Sequence, residues 1–138
     1  MHLFAPEQPD LNWENPKVRD AVHDIVRFWL DKGVDGFRMD VINFISKVPG
    51  LPDAPITRTD QEYQPGDKYF ACGPRLHEYL LALGKILKEY NAFSVGEMPC
   101  VQDPKEILKA VGFNRGELNM IFHFEMLVLN PNFLHSFH

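Results

Sequence analysis

Two acidic residues, each ending an apolar segment, are the residues of this sequence best suited to chemistry. Asp40 comes near the end of the run Asp35-Gly36-Phe37-Arg38-Met39-Asp40-Val41, and Glu97 ends the run Phe93-Ser94-Val95-Gly96-Glu97. The alternation of side chains along both runs predicts β-strands. In an α/β fold the carboxyl ends of parallel strands lie at one edge of the sheet, where functional side chains gather. The sequence therefore predicts that Asp40 and Glu97 lie side by side.

Two carboxyl groups in this arrangement can cleave a glycosidic bond. Neighbouring strands lie about 4.8 Å apart, so such groups can approach to the roughly 5 to 5.5 Å that a retaining glycosidase requires. One carboxylate then attacks the sugar while the other protonates the leaving oxygen. Arg38 is predicted to share a face with Asp40 and to keep it ionised, which suits a nucleophile. Glu97 follows small and apolar residues, so we expect it to hold its proton and act as the acid.

Each of these motifs also has a structural interpretation. Arg38 and Asp40 can form an ion pair at the end of a strand, with no role in chemistry. An acidic residue at a strand end shortly before a proline, like Glu97, is common in proteins of every function. The combination of two carboxylates and one arginine at equivalent strand ends favours a functional site.

The elements that must position these residues alternate between helix and strand. Apolar periodicity and capping residues predict helices over residues 16–32, 74–90 and 103–111, and strands over residues 35–41, 93–97 and 118–124. Asn15 is the predicted cap of the first helix, and Gly33 its left-handed exit. Residues 42–73 are rich in Pro and Gly and are predicted to form a long loop. This order builds a parallel sheet with helical crossovers, an α/β fold.

Composition narrows the range of partners. The chain has 138 residues, 45% of them apolar, and a net charge of -5, which disfavours nucleic acid and anionic membranes as partners. No apolar run reaches the roughly 18 residues of a membrane span, and residues 1–6 lack the pattern of a signal peptide. Cys72 and Cys100 lack the spacing of metal ligands. We expect a cytoplasmic protein without a metal or cofactor that acts on a small polar molecule.

The quoted motifs resemble those of glycoside hydrolase family 13, the α-amylase family. Residues 35–41 resemble the motif of the family's fourth strand, and residues 94–99 resemble that of its fifth. The segment Gln8-Pro9-Asp10-Leu11-Asn12-Trp13-Glu14-Asn15-Pro16 and the run Pro49-Gly50-Leu51-Pro52-Asp53-Ala54-Pro55 are similar to the α-glucosidase and oligo-1,6-glucosidase branch. The resemblance covers residues 2 to about 125.

This resemblance implies a fold and a set of roles. The fold would be part of a TIM (β/α)8 barrel, about strands 4 to 6, with the long loop after strand 4 shaping a sugar pocket. Asp40 would be the nucleophile, Glu97 the general acid/base and Arg38 the residue that orients Asp40. Val41 would influence linkage, and it looks more like the α-1,6 type than the threonine of many maltases. Some relatives bind calcium, but nothing in this sequence indicates a calcium site.

The chain also departs from the family pattern. A complete barrel takes about 250 residues, and the family's early Asp and Asn-His motif and late His-Asp pair are not found in this sequence. His123 stands where glutamine is usual. We divide the chain into an entry segment from a preceding subdomain (1–15), a partial catalytic barrel (16–125), and a tail (126–138) that does not resemble barrel sequence.

Three hypotheses about function follow. The first is a retaining α-glucosidase acting on small oligosaccharides, with the isolated chain inactive. The second is a non-catalytic amylase-like protein that binds a partner, as the heavy chains of amino-acid transporters do. The third is a flavodoxin-like or dinucleotide-binding half-domain, which would need a Gly-rich turn after a strand.

Overall fold

The computed structural model describes residues 1–122, and these residues alternate between helices and strands as predicted. The helices are α1 (Pro16–Asp31), α2 (Asp67–Phe70), α3 (Leu76–Glu89) and α4 (Pro104–Val111), and the strands are β1 (Gly36–Met39), β2 (Phe93–Glu97) and β3 (Met120–Phe122). A short 3₁₀ turn, Ile42–Phe44, follows β1. The predicted tail (126–138), His123 and the end of the third predicted strand lie outside the described residues.

The three strands form one parallel sheet in the order β1-β2-β3. Gly36 pairs with Phe93 and Met39 with Gly96, while Glu97 pairs with Phe122. Each parallel connection passes through a helix, α3 between the first two strands and α4 between the last two. The predicted α/β arrangement of parallel strands and helical crossovers is therefore confirmed.

Capping residues set the starts of two helices. The side chain of Asn15 accepts a hydrogen bond from the Lys17 amide at 3.0 Å, and that of Asp103 accepts one from the Lys105 amide at 2.9 Å. In both helices a proline follows the cap, where its missing N–H costs nothing. After α1 the backbone turns at Gly33, which has a φ of +90°, as the sequence predicted.

The prediction for the end of the first strand was wrong. The strand stops at Met39, and Val41 has a left-handed φ of +36°, so it does not continue the alternation of faces. A β-branched residue rarely adopts this conformation. The long loop is also less irregular than predicted, since it begins with the 3₁₀ turn and contains α2.

The hydrophobic core lies between the sheet and helices α3 and α4. Its buried side chains come from the entry segment, the 3₁₀ turn, α3, α4 and the segments after β2 and before β3: Trp13, Ile42, Leu76, Tyr79, Leu80, Leu83, Met98, Val101, Ala110 and Leu118. The ring of Trp13 packs against that of Tyr79 in α3, with the ring centroids 5.5 Å apart and the planes tilted by 39°. The entry segment is thus packed into the same core as the helices. None of the helices among residues 1–122 is long and apolar enough to cross a membrane.

Gly84 lets α3 approach the segment before β3 very closely. A Cβ atom at this position would lie 2.0 Å from the carbonyl oxygen of Gly116 and 2.8 Å from that of Glu117. Glycine usually weakens a helix interior. The structure gives Gly84 a packing role instead.

We predict that Gly84→Ala destabilises the protein although alanine is the better helix former. Helix propensity alone would stabilise by about 1 kcal/mol, whereas forcing the helix away from the segment should cost about 2 kcal/mol or more. Urea denaturation followed by circular dichroism measures the sign. Lys85→Ala, on the exposed side of α3, is the control and should change the unfolding free energy by no more than about 0.5 kcal/mol. A more stable Gly84→Ala protein would contradict the packing role.

Candidate active site

Asp40 and Glu97 lie at the same edge of the sheet, as predicted. Met39 pairs with Gly96, and the two acids are the next residue of each segment. Gly96 leaves room for two side chains at this edge, because a Cβ there would lie 2.9 Å from Cγ2 of Ile42 and 2.7 Å from Cδ1 of Leu118. The absence of a side chain at position 96 therefore allows Ile42, two residues after Asp40, to pack against the strand that carries Glu97.

One guanidinium group joins the two carboxylates. Nη1 of Arg38 donates a hydrogen bond to Oδ1 of Asp40, and Nη2 donates one to Oε2 of Glu97 at 2.5 Å. The ring of Phe122 in β3 lies 6.0 Å from the Arg38 guanidinium carbon, within the range of a cation–π contact. The sequence predicted the contact with Asp40 but not the contact with Glu97. The contact with Glu97 follows from the parallel register of the strands, in which Arg38 pairs with Val95, two residues before Glu97.

The two carboxyl groups have different environments. The side chain of Asp40 is 74% exposed, whereas that of Glu97 is 14% exposed. The hydrogen bond from Arg38, followed in importance by a hydrogen bond with Glu97, holds the pKa of Asp40 below its ordinary value. The lowered pKa keeps the Asp40 carboxyl group ionised, which is the form that a nucleophile needs. That Glu97 carries the proton remains a prediction.

The backbone of Val41 also contacts the site. Its N–H donates to Oε2 of Glu97 at 3.3 Å, the oxygen that also faces Arg38. The left-handed turn at Val41 brings the backbone into this position directly after Asp40. Strained residues of this kind are concentrated at functional sites. The sequence indicated Val41 only through its family resemblance and did not predict this backbone contact.

The long loop that follows Asp40 forms a cavity together with Met1. The cavity has a volume of about 590 Å³, and the loop residues that line it include Leu51, Tyr63 and Phe70. Phe70 packs edge-on against Phe44 at 4.9 Å. Neither Asp40 nor Glu97 lines this cavity, so the predicted link between the loop and a sugar pocket around the two acids remains a prediction. Within residues 1–122 no group of three or more His, Cys, Asp or Glu side chains could hold a metal ion.

We predict that Arg38→Gln raises the pKa of Asp40 towards its usual value of 3.8. The substitution removes the guanidinium group, whose hydrogen bond and, to a smaller extent, whose positive charge stabilise the ionised form. The pKa is measured by NMR titration of protein labelled with ¹³C at the Asp carboxyl carbons, with the Asp40 signal assigned by its loss in Asp40→Asn. Arg58→Gln, in the exposed part of the loop, is the control and should leave the titration unchanged. An unchanged pKa in Arg38→Gln would show that Arg38 does not control the ionisation of Asp40.

Comparisons with known proteins identify the family. The protein-family model of the alpha-amylase catalytic domain matches residues 1–135 of this sequence. An alpha-glucosidase of Schizosaccharomyces pombe is 62% identical over 134 residues, which are 96% of this chain and 23% of that protein. An oligo-1,6-glucosidase of Parageobacillus thermoglucosidasius is 52% identical over 131 residues, 94% of this chain and 23% of that protein.

Solved structures agree with this result. The structure of the trehalose-6-phosphate hydrolase of Bacillus licheniformis has a TM-score of 0.79 and 37% identity, covering 92% of this chain and 22% of that one. The isomaltulose synthase of Klebsiella sp. LX3 has a TM-score of 0.80 and 35% identity, covering 94% and 23%. The chain thus spans about a quarter of the length of its relatives, and its sheet is part of the (β/α)8 barrel that the sequence predicted. The chain belongs to the alpha-amylase family and corresponds to part of its catalytic domain.

Proposed function

We propose that the protein carrying this chain is a retaining α-glucosidase that hydrolyses α-1,4 or α-1,6 glucosidic bonds in small oligosaccharides. Asp40 is the nucleophile and Glu97 the general acid/base. The observation that supports the proposal best is the contact of the single Arg38 guanidinium with both carboxyl groups. The lowered pKa of Asp40 supports its role as the attacking group at neutral pH.

The proposed reaction has two steps. In the first, the Asp40 carboxylate attacks the anomeric carbon while Glu97 gives its proton to the leaving oxygen, so the glycosidic bond breaks and a glucosyl ester forms. In the second, Glu97 takes a proton from water, which attacks the same carbon and releases Asp40. Two inversions give net retention. Arg38 favours the ionised form of Asp40, which the enzyme needs before the first step and recovers after the second.

The relatives support a hydrolase more than a binding protein. The two curated relatives described above are named as an alpha-glucosidase and an oligo-1,6-glucosidase. A scaffold that only binds a partner has no need for two carboxyl groups that share one arginine at a sheet edge. The non-catalytic alternative would be favoured if the experiment below gave no product.

Val41 supports a preference for α-1,6 linkages. It follows the proposed nucleophile directly, and its N–H lies 3.3 Å from the proposed acid. The Val41 side chain is therefore attached to backbone that lies next to both reacting groups. By resemblance, valine here is typical of the α-1,6 type.

We predict that azide will identify the roles of the two acids. The test uses a chimera in which this chain replaces the segment that it matches in the S. pombe alpha-glucosidase, called here the completed barrel. In Asp40→Gly, hydrolysis of an α-glucoside with a 2,4-dinitrophenyl leaving group should fall by about a thousandfold or more, and azide should restore turnover with β-glucosyl azide as the product. In Glu97→Ala, azide should instead give α-glucosyl azide, because it intercepts the covalent intermediate. NMR of the products distinguishes the two.

Asp60→Asn is the matched control for these variants. Asp60 is an exposed carboxylate of the long loop, and its replacement should leave kcat within about twofold of the parent and give no glucosyl azide. The assignment fails if Asp40→Gly keeps its activity, or if both variants give the same anomer.

The 138 residues alone should show little or no turnover. A closed barrel takes about 250 residues, and within residues 1–122 no strand pairs with the outer edge of β1 or of β3. Open edges of this kind also favour aggregation. Release of nitrophenol from p-nitrophenyl α-glucoside measures the activity, with the completed barrel as the positive control. Robust turnover by the 138 residues would refute this expectation.

A further inference from the structure

Asn43 is a buried polar side chain that the proposed reaction does not use. It lies three residues after Asp40 in the 3₁₀ turn and is 0% exposed, between the buried Ile42 and Phe44. A buried amide is costly unless its hydrogen bonds are made. The partners of Asn43 therefore indicate what the side chain contributes.

The amide of Asn43 joins the segments that follow the two acids. Its Nδ2 donates a hydrogen bond to the carbonyl oxygen of Pro99 at 2.7 Å, and Pro99 lies two residues after Glu97. The same nitrogen contacts Sγ of Cys72 at 3.6 Å. The backbone carbonyl of Asn43 accepts from the Cys72 N–H at 2.9 Å. Asn43 thus connects the segment after β1, the segment after β2 and the end of the long loop.

Other contacts already hold the start of the long loop, just after β1, against the end of the loop and the start of α3. The Ser46 hydroxyl accepts from the Arg75 N–H at 3.0 Å, and the Ser46 carbonyl accepts from the Gly73 N–H at the same distance. The loop can therefore stay attached without the Asn43 amide. The particular contribution of that amide is the link between the Asp40 side and the Glu97 side.

We propose that Asn43 is a positioning residue that sets the placement of Glu97 relative to Asp40. This inference rests on the proposed function and adds a residue to it. The hydrogen bond from Asn43 to Pro99, just beyond the two acids, keeps the Glu97 carboxyl group in line with the glycosidic oxygen. A displacement of that group by about 1 Å can lower the rate by up to about a hundredfold. Removing the Asn43 amide should lower the rate only for substrates whose leaving group needs a proton from Glu97.

The test compares two substrates in the completed barrel carrying Asn43→Leu, which keeps a similar volume and loses the donor. For isomaltose, whose sugar leaving group needs a proton, kcat should fall by about tenfold or more with KM within about threefold. The leaving group of 2,4-dinitrophenyl α-glucoside, dinitrophenolate, departs without a proton. For this substrate the rate constant for forming the covalent intermediate should change by less than about threefold. Single-turnover kinetics measure that step directly.

Asn119→Leu is the matched control. The Asn119 side chain also links segments, since its Oδ1 accepts from the Ser94 amide at 2.8 Å, but this bond lies at the opposite end of β2. It should lower thermal stability without separating the two substrates. Equal losses on both substrates in Asn43→Leu, or the same pattern in Asn119→Leu, would overturn the inference.

Folding and function are separated by two further measurements. Circular dichroism and gel filtration test whether Asn43→Leu folds; if it does not, Asn43→Ala is assayed in the same way, and failure of both to fold assigns Asn43 a purely structural role and overturns the proposal. The proposed function itself would instead be refuted if the completed barrel without substitutions were inactive and its Asp40 and Glu97 variants gave no glucosyl azide.

Discussion

The contact of Arg38 with two carboxyl groups is the interaction on which the candidate site depends. Two acids at neighbouring strand ends would otherwise repel each other when both are ionised, and Glu97, whose side chain is only 14% exposed, would lose part of its hydration. The guanidinium has donors on two nitrogens in a fixed plane, so it can serve Asp40 and Glu97 together, which a lysine ammonium would do with less geometric control. The two acids differ in exposure, so one arginine binds carboxyl groups in two unlike environments.

The parallel register makes this contact possible. Because Met39 pairs with Gly96, the residues that follow them reach the sheet edge at the same height. Helices α3 and α4 carry the chain back between strands, and their packing therefore fixes the site from a distance. Gly84 permits α3 to approach the segment before β3, and Gly96 leaves room at the sheet edge for the side chains of Ile42 and Leu118. The packing around Gly96 lies directly beside Glu97, the next residue of the strand.

The sequence predicted the elements and the position of the two acids at one sheet edge, but not all of the hydrogen bonds around them. Caps and periodicity placed α1 and α4 to within a few residues, and the whole of β2, because those signals are local. The end of β1 was wrong because a left-handed valine contradicts local propensity and is imposed by tertiary contacts. The bond from Arg38 to Glu97 joins residues 59 positions apart, so it requires knowledge of register. Asn43 gave a signal that was missed: a polar residue between Ile42 and Phe44 in an apolar stretch.

Val41 and Asn43 are both unfavourable choices for stability taken alone. A valine with positive φ is strained, and the Oδ1 of Asn43 is buried without a hydrogen-bond partner among the described residues, which costs about 1 to 3 kcal/mol. Both residues lie within three positions of Asp40, and each contacts the Glu97 segment, through the Val41 N–H and the Asn43 amide. Local departures from the rules of stable folding are expected where a site must be held in one geometry. Their position on the same short turn indicates that the fold gives up stability here to fix the relation between the two acids.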